Sequence, residues 1–100
     1  MTHAIVMIEA DRAAMPTLGA TLADVAGVRE VYSVTGDWDF VAIVAVHRHE
    51  DLAGVVTEQL GQLEGIARTQ TMVAFEAFSQ HDLEAMFSIG GERERRSDGD

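Results

Sequence analysis

The most constraining feature of the sequence is a run of seven apolar residues, Phe40 to Val46, which reads FVAIVAV. A strand with one solvent-facing side alternates apolar with polar residues, whereas this run is apolar on both alternating faces. Each face therefore requires a cover, and a chain of 100 residues has few elements that can supply two. We expect one face to pack under the chain's own helices and the other to pack against a partner subunit.

The run belongs to the second strand of a predicted β-hairpin, Phe40 to His47. Val28 to Thr35 forms the first strand, and Gly36, Asp37, Trp38 and Asp39 lie between the two as a turn signal. Two further strands are predicted at His3 to Ala10 and at Ile66 to Phe78.

Two helices are predicted between these strands. The first begins near Pro16 and is followed by Gly27, which is expected in the left-handed conformation. The second begins at Asp51, expected as its N-cap, and ends at Gly65. The apolar stripes consist of Leu18, Leu22 and Val25 in the first helix and of Leu52, Val56, Leu60 and Leu63 in the second.

Two short patterns recur at one offset along the chain. AIV at positions 4–6 recurs at 42–44, and LxxVxGV at 22–28 recurs as LxxLxGI at 60–66, so both offsets are 38 (42 − 4 and 60 − 22). Two strand–helix–strand units with right-handed crossovers give a four-stranded antiparallel sheet with both helices on one face. The predicted fold is therefore α+β, a ferredoxin-like βαββαβ sandwich. Because its second face is apolar and uncovered, we expect it to dimerise through sheet faces or sheet edges.

The domain is predicted to span residues 1–90. It includes a short C-terminal helix at His81 to Gly90, which either caps the domain's own core or contacts a neighbouring subunit. The remaining residues, 91–100, form a charged tail without apolar side chains and are expected to be disordered.

Composition excludes several classes of function. The net charge is −10 without a basic face, which argues against direct nucleic-acid binding. Cysteine is absent, and no apolar stretch is long enough to cross a membrane or to act as a signal peptide, so a cytoplasmic protein is expected. His47 and His49 lack an identifiable third ligand, and no nucleophile–base pair is evident. We expect no metal, no cofactor and no catalytic residues.

Two motifs are candidates for binding a small molecule. In the turn, Asp37 or Asp39 can receive an ammonium group while Trp38 forms a wall; alternatively, the turn is an exposed hairpin tip whose carboxylates bond their own backbone. Thr69 and Thr71, two residues apart, share one face of the last strand, and their hydroxyls can hold a carboxylate or amide. Threonine is also simply a good strand former.

Taken together, these motifs resemble the effector-binding domain of the Lrp/AsnC regulators. The resemblance covers roughly Ala4 to Phe78 and is carried by the run from Leu22 to Phe40, by Leu52, and by the run from Leu63 to Thr71. It implies a ferredoxin-like domain that dimerises through its sheets, assembles into rings of dimers and binds amino acids or related molecules between dimers. It also implies ligand-binding roles for the turn motif Gly36, Asp37, Trp38 and Asp39 and for Thr69 and Thr71.

Regulators of this family carry an N-terminal helix-turn-helix, whereas this sequence begins directly at the first strand. Trp38 also stands where the family often has tyrosine. The resemblance thus implies a stand-alone module, not an enzyme, that binds an amino acid or related metabolite and forms a homodimer and higher oligomers. Two alternatives remain open: a ligand-free assembly partner of a full-length DNA-binding relative, and a small ferredoxin-like oxygenase or isomerase.

Overall fold

The computed structural model describes residues 1–78. The predicted helix His81 to Gly90 and the predicted tail 91–100 lie outside this part of the chain. The strands are β1 (Thr2–Ala10), β2 (Val28–Ser33), β3 (Phe40–Val46) and β4 (Ile66–Ala74), and the helices are α1 (Met15–Ala23) and the π-helical α2 (Gly54–Leu60). Short 3-10 turns at Arg12–Ala14 and His49–Asp51 precede the two helices.

The four strands form one antiparallel sheet in the order β2-β3-β1-β4. The first strand of each repeat unit, β1 or β3, is therefore central, and β2 and β4 lie at the edges. This topology confirms the predicted ferredoxin-like α+β fold, with one helix in each crossover between parallel strands.

One face of the sheet carries the core. Val6, Ile8 and Val44 are completely buried there, and Leu22 of α1 and Leu60 of α2 pack against them. Both helices therefore cover the same face. Because side chains alternate along a strand, the neighbours of these residues point to the other side of the sheet.

That other side, which we call the open face, is apolar and poorly covered. Ile5 and Ile43 lie directly opposite each other at its centre, and Met72 of β4 extends the row. The two isoleucines are half-buried and Met72 is 42% exposed. Met7 and Val41, the next pair along β1 and β3, are also half-buried.

The second helix differs from its prediction. Asp51 does not cap it, because the chain already turns at His49–Asp51 and the backbone N–H of Asp51 donates to the Arg48 carbonyl within that turn. Val55, which the predicted stripe omits, is buried, and Val56 of that stripe is half-buried against the core. The helix ends at Leu60 rather than at Gly65.

Three of the strands end earlier than the sequence predicts. β4 stops at Ala74 rather than at Phe78, because Ala74 pairs with His3 and β1 offers no partner beyond Thr2. Phe75 and Phe78 are accordingly exposed, at 98% and 78%. β2 and β3 likewise end at Ser33 and Val46, short of Thr35 and His47.

Gly27 and Gly65 occupy equivalent places in the two repeat units. Both have φ of +95°, and both precede a strand that follows a helix. A Cβ at Gly27 would lie 2.9 Å from a methyl group of Val55, and one at Gly65 would lie 2.4 Å from the Cβ of Ala14. The left-handed conformation predicted for Gly27 is confirmed, and it lets the loop pack closely on the opposite helical segment.

Candidate functional site

The turn between β2 and β3 is tight and exposed at its tip. Gly36 has φ of +104°, which favours glycine, and no other group lies within 4 Å of where its Cβ would stand. Asp37 is exposed, whereas Trp38 and Asp39 are half-buried. The two carboxylates of the motif therefore occupy different environments.

Asp39 joins the hairpin to the end of β1. Its Oδ2 accepts a 2.8 Å hydrogen bond from the backbone N–H of Ala10, and its own N–H donates to the carbonyl of Ile8 at 2.9 Å. The regular β1–β3 pairing ends at Ile8 and Phe40, so the carboxylate satisfies a donor that the ladder leaves free. The alternative to ligand binding was that a carboxylate of the turn bonds its own backbone. Asp39 does bond a backbone group, but that group belongs to β1.

Trp38 lies in a small cluster with Arg68 and Glu9. The Arg68 guanidinium carbon stands 4.2 Å from the centroid of the Trp38 ring, within the range of a cation–π contact. Arg68 Nε also donates to Glu9 Oε1 at 3.0 Å, and the two residues are register partners in β4 and β1. The ion pair thus holds the guanidinium over the indole.

Thr69 lies toward the same end of the sheet, and Thr71 lies further along β4, opposite the centre of β1. They pair with Ile8 and Val6 of β1, which points both threonines to the helix-covered face, although each remains exposed at the sheet edge. Phe40 stands on the far side of Ile8, so Thr69 lies about 10 Å from the start of β3, two strand spacings away.

The structure therefore brings the turn residues and Thr69 toward one end of the sheet, whereas Thr71 lies opposite the centre of β1. Arg68 and Thr69 are adjacent and point to opposite faces, so Trp38 contacts one side of β4 while the threonines occupy the other. Sequence reasoning missed Glu9 and Arg68 as members of the site. The only signal was their opposite charge, because the strand register that pairs them cannot be read from the sequence.

Two side chains elsewhere on the surface, Tyr32 and Glu50, have shifted pKa values. The Glu30 carboxylate beside Tyr32 raises the pKa of the Tyr32 hydroxyl, through a side-chain hydrogen bond and through charge repulsion. Arg48 Nη2 donates to Glu50 Oε2 and holds the pKa of that carboxyl below its usual range. His47 and His49 are exposed, and within residues 1–78 no three His, Asp or Glu side chains are grouped as metal ligands.

Nearly the whole of the described chain matches one known family. The profile of the Lrp/AsnC ligand binding domain matches residues 3–83. The chain belongs to the Lrp/AsnC family. This family consists of transcriptional regulators rather than enzymes, and the profile covers both motifs that form the candidate site. No helix within residues 1–78 is long and apolar enough to span a membrane.

Relatives of this Lrp/AsnC domain include longer regulators from archaea. An uncharacterized HTH-type transcriptional regulator of Pyrococcus furiosus is 36% identical over 81 residues, which covers 74% of this chain and 51% of the regulator. One from Pyrococcus horikoshii is 33% identical with the same coverage. The chain spans about half the length of these relatives.

Solved structures share the fold. A Thermus thermophilus protein is 41% identical, with a TM-score of 0.75, and the match covers 80% of this chain and 100% of that one. A transcriptional regulator of Neisseria meningitidis in complex with L-methionine is 14% identical, with a TM-score of 0.70, over 79% of this chain and 53% of the regulator. The second likeness shows the common fold alone.

Proposed function

We propose that this Lrp/AsnC ligand-binding domain recognises an amino acid or a closely related metabolite at the end of the sheet where the hairpin tip meets β4. The observation that carries the proposal is the difference in hydrogen bonding between the two carboxylates of the turn. Asp39 is bonded to the Ala10 N–H, whereas Asp37 is exposed and, within residues 1–78, has no hydrogen-bond or ion-pair partner. Asp37 is the carboxylate that receives the ligand's ammonium group.

The other residues of the site have complementary roles. Thr69 and Thr71 present hydroxyls in a row along the edge strand, where they donate to the ligand's carboxylate. Trp38, held under Arg68, offers an indole edge against which an apolar side chain packs. The L-methionine complex of the Neisseria regulator, which has this fold, supports an amino acid as the ligand class.

The open face supports oligomerisation as part of the proposal. Ile5, Met7, Val41 and Ile43 form a contiguous apolar surface, and monomeric proteins rarely leave such a surface in water. We therefore propose a homodimer that buries the open faces of two subunits. Because Trp38 and the threonines lie on different sides of β4, a ligand that touches both must bind at the strand edge, where a neighbouring dimer completes the site.

Binding between subunits supplies a regulatory mechanism. A ligand shifts an assembly equilibrium only by its difference in affinity between the separate and the assembled states. A molecule bridged by Asp37 of one subunit and hydroxyls of another binds the assembled state alone. The domain therefore converts ligand concentration into assembly state, which is the property a regulator requires.

A thermal-shift measurement with each of the twenty amino acids, at fixed subunit concentration, tests this function. A ligand at about a hundred times its dissociation constant stabilises the folded state by roughly 2.7 kcal/mol. For a domain of this size, the midpoint rises by on the order of ten degrees. We expect such a shift for one or a few amino acids.

Matched variants locate the response. Asp37→Asn and Thr71→Val are expected to remove the shift, whereas Asp24→Asn, a charge removal at the exposed end of α1, is expected to retain it. If no amino acid shifts the midpoint, amino-acid recognition is rejected. Co-purification with a full-length DNA-binding relative would then favour the assembly-partner alternative.

A further inference from the structure

A cleft of about 430 Å³ lies at the opposite end of the sheet from the hairpin tip. It is formed where the start of β2 and the end of β3 meet α2, and none of the six residues of the candidate site lines it. Its volume falls within the range of pockets that hold small molecules. Val46 and Val55, both buried, form its apolar floor.

The polar lining carries both signs of charge. Arg29 and His47 line the cleft from β2 and from the end of β3, and Asp51 and Gln59 line it from the α2 side. All four residues are exposed.

A β-bulge places Arg29 there. Val28 pairs with Val44 and Glu30 pairs with the next residue, Ile43, so Arg29 is an extra residue without a partner in β3. Such bulges redirect a side chain and are enriched beside binding sites. The carbonyl of Gly27, just before the bulge, is fixed by a 2.9 Å hydrogen bond from Ala45 N–H, which holds this corner of the cleft in place.

The guanidinium of Arg29 is weakly engaged. Its polar contact is Met1 Sδ at 3.7 Å from Nη2, and no carboxylate of residues 1–78 lies within ion-pairing distance of it. Arg48, by contrast, is next to the cleft in sequence but pairs with Glu50 and does not line it. Arg29 is thus an arginine of the cleft that has no carboxylate partner among residues 1–78 and can accept an anionic one.

We propose that this cleft is a second binding site, for a small zwitterion that carries both a carboxylate and an ammonium group on a short apolar frame. Arg29 and His47 hold the carboxylate, Asp51 holds the ammonium group, and Val46 and Val55 contact the apolar part. A simple anion fits less well, because it would meet the repulsion of Asp51 without compensation.

The test is a titration of the ¹⁵N-labelled full chain with each of the twenty amino acids at millimolar concentration. The chemical shifts of the backbone amides are measured at each step. We expect at least one to move the amides of Gly27, His47 and Gly54. Two derivatives of the amino acid that binds are expected to bind more weakly than the parent compound. One is its amide, which lacks the carboxylate, and the other is its desamino analogue, which lacks the ammonium group. Arg29→Gln is expected to weaken binding at these amides by roughly tenfold or more, since a hydrogen bond to a charged group is lost.

Two control variants separate this site from the one at the hairpin tip. Arg48→Gln removes a nearby arginine outside the cleft, and Asp37→Asn disables the proposed effector site; both are expected to leave the shifts at Gly27 and Gly54 unchanged. The proposal is overturned if no amino acid moves these amides, if Arg29→Gln and Arg48→Gln bind alike, or if Asp37→Asn abolishes the shifts. Rejection of this second site would leave the proposed effector site at the hairpin untouched, because the amides of the hairpin residues report binding there separately.

Discussion

Ile5 and Ile43 lie directly opposite each other in β1 and β3, at the centre of the open face. They are also equivalent residues of the two repeat units, 38 positions apart (43 − 5). Ala4 pairs with Val44 and Val6 with Ala42, so the two AIV triplets pair with each other in antiparallel register. The sequence repeat is therefore a structural two-fold relationship whose axis passes through the isoleucine pair.

The central place of this pair gives a prediction for the dimer. Ile43→Asp puts a charge in the middle of the surface that we propose is buried between subunits, and an unpaired buried charge is strongly unfavourable. We expect the variant to be a folded monomer by size-exclusion chromatography with light scattering, while the native chain is a dimer or larger. Thr57→Asp, on the exposed side of α2, should keep the native mass. Equal masses for Ile43→Asp and the native chain would contradict dimerisation through this face.

The positive-φ glycines give a prediction for stability. Gly65→Ala forces an alanine into the left-handed conformation, which costs about 1–2 kcal/mol. Its Cβ would also lie 2.4 Å from the Cβ of Ala14, so the loop must move to relieve the clash. Gly36→Ala imposes the same backbone strain, but nothing lies within 4 Å of the new methyl group. Urea unfolding should therefore show Gly65→Ala to be the more destabilised of the two. Equal losses would show that the contact with Ala14 relaxes freely.

The Arg48–Glu50 pair gives a prediction for pH dependence. Because the guanidinium lowers the folded-state pKa of Glu50, the pair's contribution to stability is present above the ordinary glutamate pKa and is lost as the pH falls through the lowered value. Both side chains are well exposed, so solvent screens the effect. A carboxyl ¹³C titration should give Glu50 a lowered midpoint that rises in Arg48→Gln. An unchanged midpoint in that variant would contradict the assignment of the cause to Arg48.

The two aspartates of the hairpin give a prediction that separates structural from binding roles. Asp39→Ala leaves the Ala10 N–H without its acceptor and is expected to cost about 1–2 kcal/mol of unfolding free energy. Asp37→Ala removes an exposed side chain and should change stability by less than about 0.5 kcal/mol. Chemical denaturation of both variants without ligand measures the difference. A larger loss for Asp37→Ala would reverse the structural and binding roles of the two carboxylates.

Hydrophobic patterning was sufficient to predict the fold. Phe40 to Val46 required cover on two sides, and the period of Leu18 and Leu22 placed a helix on one of them. What the sequence could not supply was register and winding. The π-helical turns that bury Val55 in addition to the half-buried Val56 have no distinct pattern, and β4 ends at Ala74 because its partner strand ends. The bulge at Arg29 and the pairing of Glu9 with Arg68 are likewise consequences of register.

The Trp38–Arg68 contact gives a prediction that needs no added probe, because Trp38 is the chain's one tryptophan. Arg68→Ala removes the guanidinium that covers the indole, so water reaches the ring and its fluorescence emission should move to longer wavelength. Stability should fall by less than about 1 kcal/mol, since the contact and its ion pair with Glu9 are both partly exposed. Glu9→Gln keeps the guanidinium but releases its anchor, so a smaller shift in the same direction is expected. Arg48→Ala is the matched control, because Arg48 follows the end of β3 that lies away from Trp38. If its spectrum changes as much as that of Arg68→Ala, the emission reports general loosening of the domain rather than this contact.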